Sequence, residues 1–220
     1  MTDRIVVHAD DEIGRIAPEI YGHFAEHLGR CIYGGIWVGE DGDVEHEDGM
    51  RTDTLELLRS LDVPVLRWPG GCFADDYHWE DGIGPREERP TRRNLWWVEG
   101  RERTATTSNA FGTEEFLRLC REIDAEPYLA ANVGTGSPDE ATNWMEYCNS
   151  EADTAYVDMR REAGREEPHG VRYWGVGNEN WVCGGQYEPD AYAREYRRFV
   201  NYLRSMDGNV EGVDAEFIAC

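Results

Sequence analysis

The run Tyr173-Trp174-Gly175-Val176-Gly177-Asn178-Glu179-Asn180-Trp181 holds the side chains best placed to do chemistry. A β-type stretch, Val171 to Val176, ends there in a Gly-Asn-Glu-Asn turn flanked by tryptophans. The pattern sets one carboxyl group, Glu179, at the C-terminal end of a strand, with Asn178 beside it and aromatic rings to exclude water. Desolvation raises a carboxyl pKa, so such a group can hold a proton near neutral pH. A proton donor against aromatic surfaces is what breaking a glycosidic bond requires. The second carboxylate of that chemistry is not evident in the chain. The plain alternative for Glu179 is a carboxylate that stabilises a helix N-terminus.

Other residues carry weaker signals. Glu26 alone reads as solvated or paired with Arg30. Cys72, after Gly70-Gly71, reads as a buried thiol. His23 and His27 are four residues apart, but they lack the Glu of the zincin motif and lie at a strand end, so no metal site is assigned to them. Gly175-Val176-Gly177 is a fragment of a dinucleotide fingerprint without its third glycine or following helix, and no cofactor is implied. Trp68, Trp79, Trp96 and Trp97 fit either core positions or sugar platforms.

The elements that must position these groups alternate. Ile5–Val7 and Ile13–Ile16 read as short strands, and Ile20–Phe24 as a third apolar run. Gly39–Gly49 is an acidic, Gly-rich loop. Thr52–Leu61 has helical spacing, with Asp53 as a cap candidate. Val63–Trp68 is a strand closed by Pro69-Gly70-Gly71. A long irregular stretch, Cys72–Asn109, follows, of the length that is usually functional. Thr113 caps a helix to about Ile123. Pro127–Val133 is a strand, and Ser137-Pro138 opens a helix to about Cys148. Asn149–Gly170 is a polar connection. After the strand Val171–Val176 comes a helix from Pro189 to about Met206, and Glu216–Ala219 begins another apolar run. Strands alternating with helices predict β/α units and a parallel sheet. In a (β/α)8 barrel the strand ends converge on one face, but such a barrel takes about 250 residues. The chain is expected to supply about four units and the start of a fifth strand.

The chain has 220 residues, with 45 acidic and 22 basic ones and a formal charge of -23. Every basic residue is Arg. Eight Trp and eleven Tyr run through the acidic segments, so the composition is that of a folded chain and not of a disordered tail. Such charge repels nucleic acid and anionic membranes, and neither is expected as a partner. The reading is a halophilic surface suited to a salty cytosol, where screening relieves the self-repulsion; the alternative is an ordinary acidic protein. No apolar run reaches membrane-span length and the N-terminus lacks a signal peptide's hydrophobic stretch, so a cytoplasmic location is expected. The six cysteines have no short paired spacings, which predicts mostly buried thiols and neither a disulfide framework nor a zinc site.

Four runs together resemble the α-L-arabinofuranosidases of glycoside hydrolase family 51. They are Ile20-Tyr21-Gly22-His23-Phe24-Ala25-Glu26-His27-Leu28-Gly29-Arg30, Val65-Leu66-Arg67-Trp68-Pro69-Gly70-Gly71-Cys72-Phe73-Ala74-Asp75, Asp81-Gly82-Ile83-Gly84-Pro85-Arg86 and Trp174 to Trp181. The likeness implies a retaining exo-glycosidase that removes terminal α-L-arabinofuranosyl groups from arabinan or arabinoxylan fragments. It implies a TIM barrel plus a β-sandwich, often assembled as a homo-hexamer. Residues 1–17 would give the sandwich an N-terminal strand, and residues 18–220 the first half of the barrel. By the same likeness Glu179 is the general acid/base, Asn178 contacts the sugar 2-hydroxyl, and Glu26, Cys72 and Asn109 bind the sugar. The family's nucleophile is a glutamate at the end of a later strand, absent from these 220 residues. The chain is thus expected to be a truncated portion, inactive by itself or a complementing half.

Overall fold

The computed structural model describes residues 3–97, 105–207 and 214–220. Its centre is a parallel sheet of β1 (His23–Phe24), β4 (Val65–Trp68), β7 (Glu126–Ala131), β8 (Tyr173–Val176) and β9 (Glu216–Ala219), in that spatial order. Two small antiparallel pairs lie outside it: β2 (His46–Glu47) with β3 (Met50–Arg51), and β5 (Arg92–Arg93) with β6 (Thr106–Thr107). The crossovers carry α1 (Thr52–Leu61), α2 (Thr113–Glu122), α3 (Pro138–Asn149), α4 (Ala155–Glu162) and α5 (Pro189–Asp207). Strands that follow one another in both chain and space, each joined through a helix, are consecutive units of a (β/α)8 barrel. Four units and a fifth strand are present, as the alternation of elements predicts.

Periodicity explains the packing. Phe116 and Leu119 of α2, Ala141, Trp144 and Met145 of α3, and Phe199 and Leu203 of α5 recur at helical spacing and are buried. Trp68 stacks on Phe116 with ring centroids 5.1 Å apart, and Trp144 meets Trp174 edge-on at 5.9 Å. Trp68 and Trp79 therefore belong to the core. Trp96 and Trp97 are partly exposed, and their backbone N–H groups donate to Asn94 Oδ1.

Several expectations need correction. Residues 5–7 and 13–16 form no strand: Ile5 and Ile13 are 92% and 98% exposed, and a strand needs a ladder partner that this segment lacks among the described residues. Asp53 does not cap α1; it sits inside the first turn, its carboxylate accepting from Arg51 Nε at 2.9 Å, and Arg51 holds the N-cap position. Thr113 is not the cap of α2 either. Gly112 holds that position, and its N–H donates to Glu115 at 2.8 Å. Thr113 Oγ1 instead accepts from Trp144 Nε1 at 3.1 Å. Helix α4 interrupts the segment expected to be a polar connection. Its hidden anchor is Arg160, fully buried, whose guanidinium donates to the carbonyls of Tyr147 and Ser150, both at 2.8 Å. An arginine reads as surface in a sequence, and this one is core. Ser137-Pro138 opens α3 as expected, and Ser137 caps it, Oγ accepting from Glu140 N–H at 3.1 Å.

His27 sits in the centre of the aromatic cluster, 4.6 Å from the Phe73 ring centroid. Its Nε2 accepts from Trp68 Nε1 at 3.1 Å, so the ring is neutral with its proton on Nδ1. Burial pushes its pKa down to about 3. The unfolded chain, with a histidine pKa of about 6.5, therefore binds the extra proton first as pH falls. His27 makes the fold lose stability progressively from pH 6.5 down to about 3, a loss on the order of 5 kcal/mol. Urea unfolding from pH 3 to 7 should show a shallower rise of stability in His27→Gln than in the parent. Equal slopes would contradict the assignment.

Candidate functional site

The C-terminal edge of the sheet gathers loops from three strands around one buried carboxylate. β4 ends at Trp68 and leads through a cis Trp68–Pro69 bond into Gly70, Gly71 and a short 3-10 turn, Cys72–Asp76. Gly70 is required. Its φ is +149°, and a Cβ there would lie 2.3 Å from Glu26 Cγ. The close approach puts Glu26, two residues past β1, beneath this turn, where Glu26 Oε1 accepts from Phe73 N–H at 3.3 Å. β8 ends at Val176 and leads into Gly177, Asn178 and Glu179. Glu179 has φ +40°, a left-handed conformation that a non-glycine residue adopts at a cost and that is common at functional sites.

Asp75 joins these pieces. It is 1% exposed. Its Oδ1 accepts from Val133 N–H, beyond β7, at 3.2 Å, and its Oδ2 accepts from Asn178 N–H, beyond β8, at 3.1 Å. The loop returning past β8 packs on the same carboxylate: a Cβ on Gly184 would stand 2.4 Å from Asp75 Oδ2. The side chain of Asn178 is fixed from the other side, Oδ1 accepting from Arg67 at 2.8 Å. The Arg67 guanidinium in turn lies 5.6 Å from the Tyr128 ring centroid. Asn180 Nδ2 donates to Gly184 O at 2.9 Å, closing the loop on itself.

Of the site residues expected from sequence, Glu26, Cys72, Asn178 and Glu179 come to this one edge. Cys72 is not a free thiol. It is bonded to Cys183, with Cα atoms 5.5 Å apart, a spacing within the disulfide range. The expectation of unpaired cysteines fails here because the partners lie 111 residues apart, on loops of strands that are not neighbours. Cys31 and Cys220 are exposed free thiols, and only Cys120 and Cys148 are buried ones. Asn109 lies in a neighbouring cleft of about 370 Å3 lined also by Phe73, Tyr77, Arg92 and Thr107. Its Nδ2 donates to Pro90 O at 2.7 Å, and Phe73 links this cleft to Glu26. The aromatic enclosure expected around Glu179 is not formed by these residues. Glu179 is exposed, Trp181 is 60% exposed, and Trp174 points into the core, where Nε1 donates to Val171 O. A separate hollow of about 810 Å3 runs along α5 beside Arg194 and Arg197, lined by no residue of this edge. Sequence reasoning missed Asp75 and Arg67 as organisers. Both stand in the Arg67-to-Asp75 run, and the signal was an acidic residue just past a Gly-Gly strand-end turn.

The arrangement presents an exposed carboxyl and an anchored amide side by side, able to exchange a proton and to hydrogen-bond a hydroxyl-rich ligand. A profile of the α-L-arabinofuranosidase 1 domain matches residues 57–219. The chain belongs to this arabinofuranosidase family. It is 52% identical over 205 residues to an intracellular exo-α-L-arabinofuranosidase of Bacteroides ovatus, a match covering 93% of this chain and 39% of that protein. It is 46% identical over 209 residues to α-L-arabinofuranosidase C of Emericella nidulans, covering 94% of this chain and 40% of the relative. A GH51 arabinofuranosidase from Xanthomonas axonopodis pv. citri superposes with a TM-score of 0.86 at 37% identity, over 96% of this chain and 41% of the other. An α-L-arabinofuranosidase from Thermotoga maritima, solved in an arabinose complex, gives 0.81 at 46% identity, over 90% and 39%. The chain thus spans about two fifths of the length of these arabinofuranosidases.

Burial raises the Asp75 pKa to about 6, against the two backbone N–H groups that favour its charge. The folded chain then keeps a proton that the unfolded chain loses near pH 3.9, so Asp75 costs stability as pH rises from 3.9 to about 6, opposing His27 over that window. Carbon-detected NMR should find the Asp75 carboxyl titrating near pH 6, with the amide protons of Val133 and Asn178 shifting at the same midpoint. A midpoint near 4, or amides that do not follow, would contradict the arrangement.

Proposed function

We propose that these residues form the acid/base half of a retaining α-L-arabinofuranosidase site, acting on terminal arabinofuranosyl groups of oligosaccharides. The observation that carries the reading is the Asn178-Glu179 pair at the end of β8, in a chain of this family, with Asn178 held by Arg67 and Asp75. Glu179 is proposed to protonate the departing glycosidic oxygen and then to activate water. Asn178 and Glu26 are proposed to bind sugar hydroxyls, with the Cys72 sulfur packing against the ring and Asn109 contributing from the adjoining cleft. A retaining mechanism also needs a nucleophilic carboxylate about 5–5.5 Å from the acid/base. Glu26 is the other strand-end glutamate here, and we assign it to binding. The nucleophile is proposed to come from sequence beyond these 220 residues, in keeping with the two-fifths coverage of the relatives. The exposure of Glu179 and of the apolar residues of segment 3–17 fits the same view, since both would be covered by the rest of a barrel and a sandwich.

The test uses this chain joined to, or mixed with, the remaining barrel. Glu179→Gln removes the proton donor, and general acid catalysis contributes about 10²–10⁴-fold when the leaving group is poor. Its kcat/KM on arabino-oligosaccharides should fall by about that factor, and far less on an aryl arabinofuranoside with a good leaving group. Equal losses on both substrates would sink the assignment. Turnover of the aryl substrate by residues 1–220 alone would show that the nucleophile has been misplaced.

A further inference from the structure

Glu179 stands against the Cys72–Cys183 pair. One carboxylate oxygen and both Sγ atoms lie within 4.8 Å of one another. Two sulfurs and one carboxylate oxygen at that spacing are a donor set for a soft or borderline divalent cation. Zinc bound at about 2.3 Å to sulfur and about 2.0–2.2 Å to oxygen puts its ligands roughly 3.5 Å apart. The residues come from two loops that Asp75 already holds together, with the Cα atoms of the two cysteines 5.5 Å apart. Asn178 Nδ2, 3.6 Å from Cys183 Sγ, supplies an outer hydrogen bond of the kind that steadies a thiolate ligand.

We infer that Cys72, Cys183 and Glu179 form a redox-gated binding site for a thiophilic divalent cation such as zinc. In the disulfide form the sulfurs are bonded to each other and the site is closed. A small dithiol reductant opens it. Its thiolate attacks one sulfur, the Cys72–Cys183 bond breaks, and a second thiol resolves the mixed disulfide. Two electrons and two protons pass to the protein, and the reductant leaves oxidised. The cation then binds both sulfurs as thiolates, releasing two protons, with the Glu179 carboxylate as third ligand and a water position left open. On the reading of Glu179 as acid/base, the bound cation takes its carboxylate out of proton transfer, so reduction and metal together would silence the site.

Cobalt(II) tests the binding without any assay of activity. The 220-residue chain is reduced with a phosphine, freed of reductant under argon and titrated with Co2+. A thiolate-to-cobalt charge-transfer band with visible bands of tetrahedral cobalt should appear, and one equivalent of Zn2+ should bleach them. The oxidised chain should show none. Cys72→Ser and Cys183→Ser should lose the band, Cys31→Ser should keep it, and Glu179→Gln should keep it with affinity at least about tenfold weaker. Circular dichroism checks each variant's fold. If a cysteine variant does not fold, the oxidised-against-reduced contrast and Glu179→Gln, an exposed position, decide the matter. No band in the reduced chain, equal affinity in Glu179→Gln, or a band that survives in folded Cys72→Ser would overturn the proposal. These results are independent of the oligosaccharide kinetics, so the site and the glycosidase reading can fail separately.

Discussion

One buried carboxylate carries the geometry of the functional edge. Asp75 reaches from the turn after β4 to the backbone N–H groups that open the loops after β7 and β8. Strand ends have free N–H groups because the ladder stops there, and a buried one without a partner costs about 1–3 kcal/mol. Satisfying two of them with one charge fixes where Asn178 and Glu179 leave the sheet. Desolvation of Asp75 is the cost, visible as a pKa raised to about 6. The Cys72–Cys183 bond joins the loops after β4 and β8 one step further out. Gly70 and Gly184 let backbone approach where a side chain would collide.

This organisation separates two carboxylates by role. Asp75 is enclosed and accepts two backbone N–H groups, so it positions the loops. Glu179 is exposed at a strained backbone position and has no such obligation. Around them the aromatic residues divide in the same way. Trp68, Trp79 and Trp174 are buried in the core that supports the strands, whereas Trp96, Trp97 and Trp181 keep exposed faces.

The barrel units were legible because their apolar residues recur at helical spacing or in short β-rich runs. The strand-end positions of Glu26, Cys72 and Asn178-Glu179 followed from the polar or Gly-rich turns that punctuate those runs. What escaped the sequence depends on contacts between distant segments. The Cys72–Cys183 pairing spans 111 residues and skips a strand. Helix α4 is anchored by Arg160, a residue type that composition assigns to the surface. The cap of α1 lies two residues before Asp53, which pairs with Arg51, and the cap of α2 one residue before Thr113, which serves Trp144. The strands expected near the N-terminus failed because apolar alternation gives a strand its face but not its partner.

Native-state hydrogen exchange tests most directly whether Asp75 ties the three loops into one site. In the parent chain the amides of Val133 and Asn178 should exchange slowly, as protected groups of the sheet edge. In Asp75→Ala both should lose protection together, by at least about 1 kcal/mol each, while Leu129 in the body of β7 keeps its own. Unchanged protection at Val133 and Asn178, or loss at only one of them, would contradict the account.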